Sequence, residues 1–289
     1  MPRPPSPPGA GTTLLATALA MAAFAANSLL CRAALRHTAI DPASFTLLRV
    51  AAGALATGTV IRLCGGAVTG DWGSALALAV YASAFSFAYL GLPAGMGALL
   101  LFLAVQATML VGALRRGERL RPLQGGGLLL AVAGLLVLLR PGAATPPLAA
   151  AALMLAAGAA WGVYSLRGRN CPDPIAATAG NFLRAVPLCL LLGLASLRAP
   201  HWDGPGVGYA VLSGALASGL GYILWYRALG GLGSAAAASV QLSVPVLAAL
   251  AGVVLLREAL TPRLGLSALA ILGGIALVLR GGGNDRARR

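Results

Sequence analysis

Ten apolar stretches, each close to twenty residues long, follow one another along this chain with short breaks between them. A helix needs about 20 apolar residues to cross the hydrocarbon core of a bilayer. In lipid the backbone must satisfy its own hydrogen bonds, so long apolar runs predict helices. Composition agrees: 58% of the 289 residues are hydrophobic, 10% are charged and the mean hydropathy is +0.85. A soluble domain carries about 25% charged residues, and a disordered chain needs few apolar ones. Both classes are excluded. The predicted fold is an all-α integral membrane protein with ten transmembrane helices.

The expected spans are 12–31, 43–64, 72–91, 94–114, 123–140, 148–167, 176–197, 206–228, 233–256 and 262–280. Breakers separate them, among them Asp41-Pro42, Gly65-Gly66, Pro141-Gly142, Pro172-Asp173-Pro174 and Gly204-Pro205. Leu92-Pro93 alone divides the third span from the fourth. Residues 1–11, rich in Pro and Gly, read as a disordered tail, and 281–289 as a flexible basic one. The first stretch resembles a signal peptide, but nine apolar stretches follow it, so it is kept as the first helix.

All 21 basic residues are Arg, against seven acids, for a net charge of +14. A nucleic-acid binder gathers such charge on a soluble face. Here nearly every Arg sits at the edge of an apolar stretch, so no nucleic-acid partner is expected. With both termini inside, twelve Arg fall in cytoplasmic segments and six in outer loops. That bias puts both termini in the cytoplasm of a multi-pass inner or plasma membrane protein. Four scattered cysteines form no CxxC pair, and no cofactor or metal is expected.

The two halves echo each other. ERLRPLQGGGLLLAVAGLLVLLR from Glu118 aligns without gaps on EALTPRLGLSALAILGGIALVLR from Glu258. Pro122 meets Pro262, and Arg140 meets Arg280. Upstream, each half has Asp-Pro (41–42, 173–174) and then a helix carrying Leu-Arg (48–49, 183–184). Repeats 12–140 and 148–280 would hold five helices each. An odd number of spans inserts the second copy upside down, as in secondary transporters with a site between halves.

These features resemble the drug/metabolite transporter superfamily in its EamA-type branch. The matching text is the paired Glu-x-Leu-x-Pro helix starts, the Leu-Arg pair, GYILWYRAL (221–229) and SVPVLAAL (243–250) before Arg257-Glu258. The resemblance covers residues 14–280 and implies two inverted five-helix repeats around a central cavity, with the fifth and tenth helices peripheral. It implies transport of small metabolites, amino acids among them. The family's proline of the ninth helix is present as Pro245, while the fourth helix has none.

Charges within the membrane are costly and mark cavities or partners. Arg49 and Arg184 hold equivalent places in the repeat and are candidates to bind a carboxylate or gate the cavity. Against this stands snorkelling, or capping of neighbouring helix ends. Arg227, beside Trp225-Tyr226, reads as snorkelling. Asn27, Gln106, Tyr164, Asn181, Tyr222 and Gln241 are cavity candidates, with helix–helix hydrogen bonds the alternative. Tyr81, Tyr89, Trp161, Trp225 and Tyr226 read as interfacial belt or packing. Pro245, inside the ninth helix, is expected to kink it and free carbonyls for a cavity. Glu118 and Glu258 are expected to complement the starts of the fifth and tenth helices, with a gating salt bridge as the alternative.

No acid falls in mid-membrane. This argues against a buried-carboxylate proton relay and favours an anionic or zwitterionic substrate. The expected activity is secondary-active export of small polar metabolites of amino-acid type by alternating access. The partners are the lipid bilayer and a small-molecule substrate, with a homodimer left open. The alternatives are a membrane enzyme or a channel. Yet both histidines, His37 and His201, lie in expected loops, and no filter-like repeat is visible.

Overall fold

The computed structural model describes residues 10–115, 117, 121–140, 145–168, 171–195, 200–232, 237 and 239–283. Among the described residues the chain is all-helical, with no strand. Ten helices form the first-to-last order: α1 (Ala10–His37), α2 (Pro42–Leu63), α3 (Trp72–Ala88), α4 (Ala94–Arg115) and α5 (Pro122–Leu139). Then come α6 (Leu148–Gly168), α7 (Pro174–Ala195), α8 (Gly204–Leu229), α9 (Ser243–Leu256) and α10 (Pro262–Gly283).

Local chemistry sets these ends. Asp41 Oδ1 accepts from the amides of Ala43 (2.9 Å) and Ser44 (3.0 Å), and Pro42 opens α2 where no amide donor is required. Asp173 repeats this for α7, accepting from Ile175 and Ala176 at 3.1 and 2.9 Å. Asp71 caps α3 through the Ser74 amide at 2.9 Å. Thr261 Oγ1 accepts from Leu264 before Pro262 at 3.2 Å. The two Asp-Pro breakers of the sequence are thus satisfied caps.

Eight helices are long and apolar enough to cross a membrane, while α3 and α9 are shorter. The third span was expected to run to residue 91, but α3 has 17 residues and stops where the chain turns at Tyr89–Leu92. The ninth span is broken: residues 237, 239 and 240 are helical, 241–242 turn, and a 14-residue helix follows. At the other end, α10 runs on to Gly283, past the expected limit of 280.

Helix pairing carries the duplication into three dimensions. α3 packs on α6 as α8 packs on α1; α4 meets α6 as α9 meets α1; α3 meets α7 as α8 meets α2. The pairs α2–α7, α4–α9 and α5–α10 map onto themselves. This is the pseudo-two-fold of an inverted repeat. α5 packs principally on α10, so this pair flanks the bundle. Gly158 and Gly162 bring α6 close to α4: a Cβ at Gly162 would lie 2.7 Å from Thr108 Cβ, and one at Gly158 would strike the Leu101 carbonyl.

Candidate functional site

Rings from five helices meet at the centre. Trp161 (α6) lies 4.7 Å from Tyr222 (α8) and 5.1 Å from Tyr81 (α3), centroid to centroid. Phe24 (α1) meets Tyr222 edge-on at 5.9 Å, and Phe182 (α7) lies 5.7 Å from Tyr222. Phe24, Tyr81, Phe85, Trp161 and Tyr222 line a cavity of about 20 Å³, with Asn27 as a polar wall. That is room for a single water molecule, so the bundle is packed closely around its centre. Of the two readings given for Tyr81 and Trp161, belt or packing, their burial between helices fits packing.

Arg49 sits behind two of these rings. It is 2% exposed, and its guanidinium carbon lies 4.9 Å from the Phe85 centroid and 5.6 Å from that of Tyr81. Its Nη2 donates to Ser218 Oγ at 3.4 Å, whereas Nη1 is buried without a hydrogen-bond partner. The Tyr222 hydroxyl is likewise buried and unpartnered. Asn27 donates to the Tyr81 hydroxyl at 3.2 Å and accepts from Ser213 Oγ at 2.6 Å.

Ser213 and Ser218 share an unusual backbone. Residues Leu212–Leu220 of α8 are π-helical, a geometry that recurs at functional sites. Gly214 lies against α2 so closely that a Cβ would strike the Arg49 carbonyl. The wider π turn and the missing Cβ together let α8 reach the Arg49 backbone and present two hydroxyls. The Ser-Gly spacing of 213–221 was the available signal, and sequence reasoning passed over it, as it did Phe24, Phe85, Ser213 and Ser218.

The other candidates divide. Arg184 does not occupy the place equivalent to Arg49. It is half-buried and donates to the carbonyls of Thr69 (2.8 Å) and Gly180 (3.0 Å), so it straps the α2–α3 loop. Counted from each helix's opening proline, the counterpart of Arg49 is Asn181. Asn181 Oδ1 accepts from the Asp71 amide at 3.0 Å, and its amide reaches the Tyr164 hydroxyl at 3.5 Å. Tyr164 stacks on Trp161 and pairs with Thr178. Gln106 is half-buried on α4, outside the cavity lining. Gln241 lies in the turn before α9, its amide 3.4 Å from the Ala237 carbonyl.

Pro245 does not kink a continuous helix. It is the third residue of α9, where no amide donor is needed, and the break lies before it at 241–242. Glu258 serves a different helix from the one expected. α10 begins four residues later, and Glu258 Oε2 instead accepts from the Ala94 amide that opens α4, at 2.8 Å. Its Oε1 accepts from Arg32 Nε at 3.2 Å, so Glu258 forms a salt bridge as well. The cause is local: Arg257 ends α9 in the left-handed region at φ 52°, and the Glu258 amide wraps back to Gly252. Glu118 lies outside the described residues. Cys31 and Cys189 are buried and free, and among the described residues no side-chain cluster suited to a metal occurs.

The sequence pattern of the EamA-like transporter family matches residues 148–280. A Pseudomonas aeruginosa protein, Uncharacterized protein PA1977, is 59% identical over 270 residues, spanning 92% of this chain and 94% of that one. A protein of known crystal structure is 23% identical, with a TM-score of 0.65, over 91% of this chain and 98% of its own. That last likeness bears on the fold alone.

Proposed function

Because the chain belongs to the EamA-like transporter family, we propose that it is a secondary-active carrier exporting small zwitterionic or anionic metabolites of amino-acid type. Alternating access about the central aromatic cluster would be its mechanism. Cytoplasmic termini follow the Arg bias of the loops.

Arg49 carries this reading. A guanidinium cannot shed its proton at any working pH. Burying it unpaired is expensive. Yet Nη1 has no partner, and the described acids sit at helix caps or in the α9–α10 turn. A substrate carboxylate is the counter-charge that fits this place. The unpartnered Tyr222 hydroxyl adds a donor. The faces of Trp161, Tyr81 and Tyr222 suit an ammonium group without any carboxylate of the protein.

The test is release from proteoliposomes preloaded with a mixed pool of amino acids and small organic acids, read by mass spectrometry. Selective release of carboxylate-bearing compounds, lost in Arg49→Ala, is expected. Protein-dependent efflux of a quaternary ammonium dye, with carboxylates retained, would overturn the substrate class.

A further inference from the structure

The second repeat grips the first at both ends of one helix. α3 has 17 residues, so its ends lie about 25 Å apart. Tyr81 and Phe85, in its second half, belong to the central cluster.

At the start of α3, Arg167 of α6 donates from Nη2 to Asp71 Oδ1 at 2.7 Å and from Nε to Ser74 Oγ at 2.9 Å. Asn181 and Arg184 of α7 hold the same loop through the Asp71 amide and the Thr69 carbonyl. At the far end, Arg32 of α1 donates to the Tyr89 carbonyl at 2.8 Å and to Glu258 Oε1 at 3.2 Å. Glu258, from the second repeat, also accepts from the Ala94 amide. An exposed tie between Asp41 and the His201 backbone joins the halves at this end as well.

We propose that the Asp71–Arg167 and Arg32–Glu258 clusters are the carrier's two gates, opened in alternation while α3 pivots between them. This rests on the carrier reading above. A rocking repeat must release one cluster while the other holds. The two are unequal. The side chains of Arg167 and Asp71 are 48% and 53% exposed, so water and salt compete for their pairing. Those of Arg32 and Glu258 are 12% and 6% exposed. Opening that cluster strands a carboxylate, a guanidinium and the first amide of α4 together. The Asp71 end is therefore the gate that opens first.

Two buried positions report on the gates without any substrate. Cys31 adjoins Arg32 and is fully buried; Ala75, in the first turn of α3, is equally buried. One reporter protein keeps Cys31 and carries Cys64→Ser, Cys171→Ser and Cys189→Ala. The other carries Ala75→Cys with all four native cysteines replaced. Each is labelled with a membrane-impermeant maleimide in vesicles of both orientations, after size exclusion shows it monodisperse. Glu258→Gln is expected to raise labelling of Cys31 several-fold and lower it at the cysteine of Ala75→Cys. Asp71→Asn is expected to do the reverse. If both reporters brighten together in either variant, or neither responds, the clusters are structural staples and the proposal falls. Reciprocal labelling in a protein that moves no metabolite would instead break the carrier's substrate reading and leave the gates standing.

Discussion

The two halves open their second helix alike and use it differently. Asp41-Pro42 and Asp173-Pro174 cap α2 and α7, and Thr46 and Thr178 each donate to the carbonyl of that proline at 2.7 Å. Seven residues beyond the proline the halves part: Arg49 stands in α2, Asn181 in α7. The surroundings are related by the same pseudo-symmetry, because Arg49 touches α8 and Asn181 touches the start of α3, the counterpart of α8. Among the described residues only α8 carries a π-helical turn, and it brings Ser218 to a guanidinium. The helix contacts are thus symmetric, while one differing side chain and one differing helix turn place a buried guanidinium in α2 and none at the matching position of α7.

Substitutions at the two positions sharpen this contrast most. Arg49→Lys removes the planar fork that stacks on Phe85 and donates to Ser218 while keeping Nη1 free for a substrate carboxylate. Losing a charge-assisted hydrogen bond of this kind predicts a fall in transport of about 10- to 100-fold, measured as initial counterflow rate. Asn181→Ala should leave that rate within about three-fold, since its partners are a loop amide and Tyr164.

The helix turn comes next. Gly214→Ala forces a Cβ onto the Arg49 carbonyl and should cost about 1–3 kcal/mol of stability. Gly58→Ala, on the same α2 but facing open space, should add up to about 1 kcal/mol. Melting temperatures in detergent separate the two. Asn181→Ala belongs between them, at a loss of about 1–2 kcal/mol for the unsatisfied Asp71 amide.

The smallest effect is electrostatic. Hydrogen bonds from the Ser74 hydroxyl and amide, then the Arg167 guanidinium, hold the Asp71 carboxyl at about 2 against the opposing cost of burial. A depressed carboxyl stabilises the fold above its ordinary pKa near 4 and loses that contribution as pH falls through about 2. The melting-temperature gap between the parent and Asp71→Asn should therefore hold from pH 7 to pH 4 and close toward pH 2. Closure already near pH 6 would contradict the assigned hydrogen bonds.

Much of the frame was legible because its signals are local. Apolar runs, Asp-Pro caps and the Glu-x-Leu-x-Pro echo each act within a few residues, and they marked the helix starts well. The Leu-Arg echo misled because identity of text is not identity of depth: Arg184 lies ten residues past its proline, Arg49 seven. Anchoring on the caps would have paired Arg49 with Asn181. The aromatic cluster stayed hidden because its rings come from five helices, and nothing in one helix tells which face meets the others. Glu258 read as a cap for its own helix; a left-handed residue at Arg257 turns it onto α4 instead.

The most direct measurement is counterflow of a matched pair into proteoliposomes: an amino acid released in the pool assay, and the amine left when its carboxylate is removed. Carriage of the amino acid alone by the parent, with neither compound moved by Arg49→Ala, is the predicted result. Equal carriage of the amine, or undiminished carriage of the amino acid by Arg49→Ala, would contradict Arg49 as the carboxylate-binding group.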